Sequence, residues 1–149
     1  MKVRTSIIAA GAAVVLGTTG ALVVPAMASA NSATHTLKFT AVQKAGVRFT
    51  KTSQGSQETD VNATGKTIGF DMIYLAAAAS TSTAAANITV DITGGFLYGT
   101  ATVSLKTGVV SNGKVTGGTG AFKGATGTIT AKSLNKAGTK HAVTITYSG

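Results

Sequence analysis

The sequence predicts an all-β protein, a small closed antiparallel β-barrel of about eight strands. Three observations predict it. Beyond residue 30, one stretch after another alternates apolar with polar side chains, and these stretches are rich in the Thr, Val and Ile that suit a half-buried pleated strand. Gly and Asn recur between them with hairpin spacing. No stretch past residue 30 carries a helical apolar stripe. A sandwich has the same strand content, but the chain contains no Cys and gains nothing from disulfides. Closure into a barrel removes the sheet edges that a sandwich must protect.

The first thirty residues read as a leader rather than as part of the fold. Lys2 and Arg4 precede an apolar run from about Ile7 to Val24, Pro25 breaks it, and Ala28-Ser29-Ala30 supplies the small-x-small cleavage pattern. The expectation is a signal peptide over residues 1–30, cleavage after Ala30, export to the extracellular space, and a single barrel domain over residues 31–149. A membrane anchor is the rival reading, but the Gly and Thr content and the abrupt A-x-A end speak against stable insertion.

The strands follow in order. "HTLKFTAV" sets Leu37, Phe39 and Ala41 against Thr36, Lys38 and Thr40. "DVNATG" (60–65) reads as a turn. "TIGFDMIYL" sets Ile68, Phe70, Met72 and Tyr74 against Thr67, Gly69, Asp71 and Ile73. "AAAASTSTAAA" (76–86) is low in complexity and reads as a mobile loop. "NITVDIT" sets Ile88, Val90 and Ile92 against Thr89, Asp91 and Thr93. "FLYGTATVSL" sets Leu97, Gly99, Ala101 and Val103 against Phe96, Tyr98, Thr100 and Thr102. Asn112-Gly113 carries the residues of a type I′ hairpin turn, and "NKAGT" (135–139) reads as a longer turn between the last two strands, "TGTITAKS" and "HAVTITYS".

Charge narrows the partners. The formal net charge is +9, and without Lys2 and Arg4 it is +7, carried by ten scattered Lys and Arg48 against four acids. A nucleic-acid groove wants clustered cations interleaved with aromatics, which this chain lacks, so no nucleic-acid partner is expected. Two isolated His and no Cys give no metal-ligand spacing, and neither a metal nor a cofactor is expected.

The stretch "VTGGTGAFKGATGTIT" (115–130) tests a phosphate-binding reading. Its glycines fall at G-x-G-x-x-x-G, but an alternating strand follows where a dinucleotide site needs a helix N-terminus. The last acidic residue of the chain is Asp91, so no ribose-binding carboxylate lies downstream. The glycines instead read as turn chemistry around Phe122, the one large apolar residue between Val115 and Ile129, which is expected to plug the barrel. Gly127 is expected to let the last hairpin bend or bulge.

That stretch resembles the glycine signature of the allene oxide cyclase-like and dirigent-like β-barrels, especially secreted actinobacterial ones, through Gly117, Gly118, Thr119, Gly120, Phe122, Ala125 and Gly127. "DVNATGKTIGFD" and "LKFTAV" are similar to further segments of the same group. The resemblance implies a calycin-like barrel of eight strands, a homo-oligomer (trimer or dimer), and a central cavity for a small apolar ligand. Some members cyclise or couple reactive intermediates without a cofactor. This sequence has no clear counterpart of the catalytic acid, Asn and Cys set of the plant cyclases, nor an alignable dirigent Arg/Asp/Tyr pattern.

Candidate site residues follow from the strand faces. Asp71 and Asp91 interrupt strands, each on the face that carries Thr or Gly rather than the larger apolar residues. The plainer reading puts that face in solvent. The sharper one turns an Asp into the barrel, where desolvation raises its pKa and suits it to general acid or base work. Asp71, Asp91 and Arg48 are the candidate proton handlers, with Phe70, Tyr74, Tyr98 and Phe122 as ligand contacts. Glu58, Asp60, His35 and His141 read as solvated. The leading functional expectation is a secreted barrel that binds a small, largely apolar molecule. The alternatives are a cofactor-independent cyclase, isomerase or coupling-guiding protein of the same superfamily, and a structural cell-surface protein with a filled barrel.

Overall fold

The computed structural model describes residues 33–77 and 82–149. The proposed leader lies outside the described residues, as does the centre of the Ala-rich stretch. Eight strands form one closed antiparallel barrel in simple up-and-down order. They are β1 (His35–Arg48), β2 (Ser53–Val61), β3 (Thr67–Ala77), β4 (Thr83–Ile92), β5 (Gly95–Ser104), β6 (Val110–Gly118), β7 (Thr126–Ser133) and β8 (Lys140–Ser148), with one short 3-10 turn at Gly120–Phe122. β8 pairs back onto β1 from His35↔Tyr147 to Val42↔Lys140, which closes the sheet. No helix among the described residues is long and apolar enough to cross a membrane.

Two ends result from this connectivity, and they differ. At one end the turn after β6 folds inward and sets Phe122 into the interior, 5% exposed, edge-on to Tyr147 with ring centroids 5.5 Å apart. Phe39, Leu97, Val115, Ala125 and Ile145 pack around it and seal that end. Gly120 makes the turn possible. Its φ is 58°, and a Cβ there would collide with the carbonyl oxygen of Gly94. Gly127, by contrast, sits in regular register with Tyr147 and makes no bulge. It is needed because a Cβ would strike the Thr146 carbonyl oxygen of β8.

Two turn expectations change. Asn112 does adopt the left-handed conformation, φ 51°, but Asn112-Gly113 lies inside β6 rather than between strands. The β5–β6 register slips between Thr100 and Thr102 at this point, so the pair makes a bulge, and the reversal itself falls at 105–109. The Ala-rich stretch is also partly strand. β4 begins at Thr83, and Ala84 and Ala86 are buried.

β3 shows the most consequential difference. Its large apolar residues Phe70, Met72 and Tyr74 face out, exposed, while Gly69, Asp71, Ile73 and Leu75 face in. Register decides this. Residues directly opposite on neighbouring strands share a face, and β3 pairs Gly69↔Ile92, Asp71↔Val90 and Ile73↔Ile88. The inward row of β4 is unambiguous, with Ile88 and Val90 buried and Ile92 packed against the core, and it carries Asp71 inward with it.

Candidate functional site

The end opposite Phe122 encloses a cavity of about 780 Å³. Apolar side chains from five different strands line its wall, among them Ile73, Leu75, Val103, Val110, Ala131 and Val143. Its mouth is built by the end of the β1–β2 hairpin, the 105–109 reversal and the Asn135–Gly138 turn, and it carries Arg48, Lys106 and Lys136. The Asn135 turn is held by its own side chain, whose Oδ1 accepts hydrogen bonds from the Thr139 and Lys140 amides.

Two carboxyl groups also line this cavity. Glu58 and Asp71 face each other directly across the β2–β3 ladder, each 3% exposed. A third, Asp60, lies one inward position along β2, between Ala41 of β1 and Gly69 of β3, and is fully buried. Three of the chain's four acidic residues therefore sit in the interior. β2 supplies two of them because Ser56, Glu58 and Asp60 follow one another at period two on its inward face.

The polar atoms of this cluster are sparsely satisfied. Ser56 Oγ donates to Glu58 Oε1 at 3.4 Å. His141 Nδ1 stands 3.6 Å from Glu58 Oε2, an ion-pair contact when the imidazole is protonated but beyond hydrogen-bond reach. No amide, hydroxyl or cationic donor of the protein reaches Glu58 Oε2, Asp71 Oδ1 or either oxygen of Asp60. Burial pushes the Asp71 carboxyl up to about 9, helped by the neighbouring charges of Glu58 and Asp60. Burial also raises Asp60, to about 7, against a hydrogen bond with Asp71 that favours its charged form. The opposed signs of that hydrogen bond describe one arrangement, in which Asp71 keeps a proton and donates it to Asp60. A neutral acid thus stands in the wall of a partly apolar cavity, beside a second carboxylate.

The expected site residues separate accordingly. Asp71 lies deep in the cavity and Arg48 at its mouth. Asp91 is exposed on the outer face of β4 and takes no part in the interior, which corrects the expectation of an inward carboxylate at that position. The reason is the period-two row of Ile88, Val90 and Ile92, which claims the other face. Phe70, Tyr74 and Tyr98 are likewise on the outer surface and do not line the cavity. Phe122 is inside but seals the opposite end, away from the cavity. Glu58, Asp60 and His141, expected in solvent, belong to the interior cluster. His35 is exposed and stacks on Tyr147 with ring centroids 5.3 Å apart. Among the described residues no group of three or more His, Cys, Asp or Glu side chains could hold a metal ion.

A solved structure shares this architecture. It is described as a pyocyanin demethylase, and it superposes with a TM-score of 0.60 at 14% sequence identity, covering 76% of this chain and 100% of its own. The likeness shows the barrel fold. No family model matches the chain, and no curated protein matches it.

Proposed function

We propose that this protein is an exported, small-molecule-binding barrel of the allene oxide cyclase-like/dirigent-like type, with its ligand in the cavity at the end opposite Phe122. The observation that carries the proposal is the cavity itself. Its volume of about 780 Å³ falls within the range of small-molecule sites, and its wall combines apolar side chains with convergent polar groups. A solidly filled barrel, as a purely structural protein would have, does not fit that volume. The glycine signature around Phe122 supports the family, and the similar barrel is named for an enzyme acting on pyocyanin. Export and cleavage after Ala30 belong to the same proposal and rest on the leader pattern. An oligomer would cover the outer face of β3 to β5, where Phe70, Met72, Tyr74, Phe96 and Tyr98 stand exposed.

A second reading is favoured by one specific observation. Asp71 is an acid with a raised pKa on the cavity wall, across the ladder from Glu58. In a bound molecule it could protonate an oxygen while Glu58 accepts a proton elsewhere, which is what a cofactor-independent cyclisation or isomerisation needs. Asp71, rather than Asp91 or Arg48, is the residue for that role.

A filled-cavity variant tests the proposal. Ala131→Trp places a large ring among the lining residues. An environment-sensitive apolar dye should bind the wild-type chain and be excluded from the variant. Equal dye binding by both would place the ligand site elsewhere.

A further inference from the structure

The polar groups of the cavity are arranged with a direction. Glu58 Oε2 and Asp71 Oδ1 are acceptors without a protein donor, on residues each 3% exposed, and both residues line the cavity. His141 is the one ion-pair partner of Glu58 among the described residues, when its ring is protonated, and at 3.6 Å it leaves the hydrogen-bonding capacity of Oε2 unused. Between the two ends the wall is apolar on β3, β5 and β8, at Ile73, Val103 and Val143, with Ser56 of β2 opposite Ile73. Toward the mouth the charge reverses: Arg48 stands level with Leu75 across Gln54, and Lys106 and Lys136 line the rim. From Asp71 to Leu75 is four residues along β3, or roughly 13 Å of strand.

We propose that the ligand of this cavity is an elongated molecule with an apolar body, a protonated amine at its leading end and an acidic group at its trailing end. The amine donates to Glu58 Oε2 and Asp71 Oδ1, the two acceptors that the protein itself leaves unpaired. The apolar body displaces water from Ile73, Val103 and Val143. The acid stays at the mouth, within reach of Lys106 and Lys136. A buried acceptor left without a donor is costly, so the leading amine contributes most where water has been excluded. The trailing acid meets solvated cations, so it contributes less and its effect falls with salt. A ligand of the opposite orientation would set its carboxylate against Glu58.

This inference rests on the cavity being the ligand site, and the experiment separates the two. The full chain is titrated by calorimetry with ω-aminododecanoate, dodecylamine, dodecanol and dodecanoate, which share one apolar body. The expected order is aminododecanoate, then dodecylamine at about tenfold or more above dodecanol, with dodecanoate weakest. Glu58→Gln should cut the affinity of both amines about tenfold and leave dodecanol unchanged. Lys106→Glu combined with Lys136→Glu should weaken aminododecanoate and leave dodecylamine unweakened. If Glu58→Gln does not fold, Asp71→Ala removes the other acceptor of the pair. Equal affinity for dodecanol and dodecylamine, or amine binding indifferent to both acceptor variants, overturns the amine-first ligand while the cavity stands. Binding of all four probes that survives Ala131→Trp, or binding of none, overturns the cavity reading itself.

Discussion

Asp71 of β3 lies directly opposite Glu58 of β2 on the inner face of the barrel, and both are almost wholly shielded from water. Like charges directly across a ladder destabilise a sheet, and burial adds a desolvation cost to each. The arrangement persists because Asp71 holds its proton and shares it with Asp60.

The pH dependence of stability follows with a definite sign. The folded state binds protons on Asp71 and Asp60 that the unfolded chain releases near the ordinary carboxylate pKa of ~4. The stabilisation is complete below that pH and is lost as pH rises through about 7 and about 9, the raised values of Asp60 and Asp71. Denaturant midpoints should therefore fall from about pH 5 to about pH 9, and Asp71→Asn should flatten the upper part of the fall. Midpoints that rise over this range would contradict the shared proton.

Glu58→Gln removes the charge that faces Asp71. Its expected effect on stability at neutral pH is neutral to favourable, because a buried like charge disappears while the volume stays. The carboxyl carbon of Asp71, followed by NMR, should then titrate at lower pH than in the wild-type chain, since Glu58 is among the causes of its raised value. An unchanged titration would place Glu58 out of electrostatic contact.

Phe122→Ala should cost about 3–5 kcal/mol, the range for truncating a buried aromatic ring. The ring is 5% exposed and packs against Tyr147 at the sealed end. A loss below ~0.5 kcal/mol in urea denaturation would put the ring at the surface.

The outer face behaves differently. Phe70→Ser and Tyr98→Ser, both on exposed positions, should leave dye and ligand affinity in the cavity unchanged. They should shift any self-association seen by sedimentation, because these rings belong to the exposed apolar face. A large loss of ligand affinity on either substitution would contradict the strand orientation described for β3 and β5.

Strand content and the approximate strand count were legible in the sequence because each depends on short-range pattern. The facing of β3 was not. Ile68, Phe70, Met72 and Tyr74 form the more apolar row, and only the register with Ile88, Val90 and Ile92 sends Asp71 inward. Glu58 and Asp60 were hidden for a related reason. Their spacing puts them on one face of a strand, but a strand of polar residues on both faces does not say which face is the core. Asn112-Gly113 shows the complementary limit, since the same left-handed preference serves a hairpin turn and a bulge within a strand.

Native mass spectrometry of the purified protein tests the central claim most directly. The account predicts a bound small molecule on the folded wild-type chain that is absent from Ala131→Trp, whose new side chain occupies the cavity among Ile73, Val103 and Val143. A bound mass retained equally by the filled-cavity variant would contradict it.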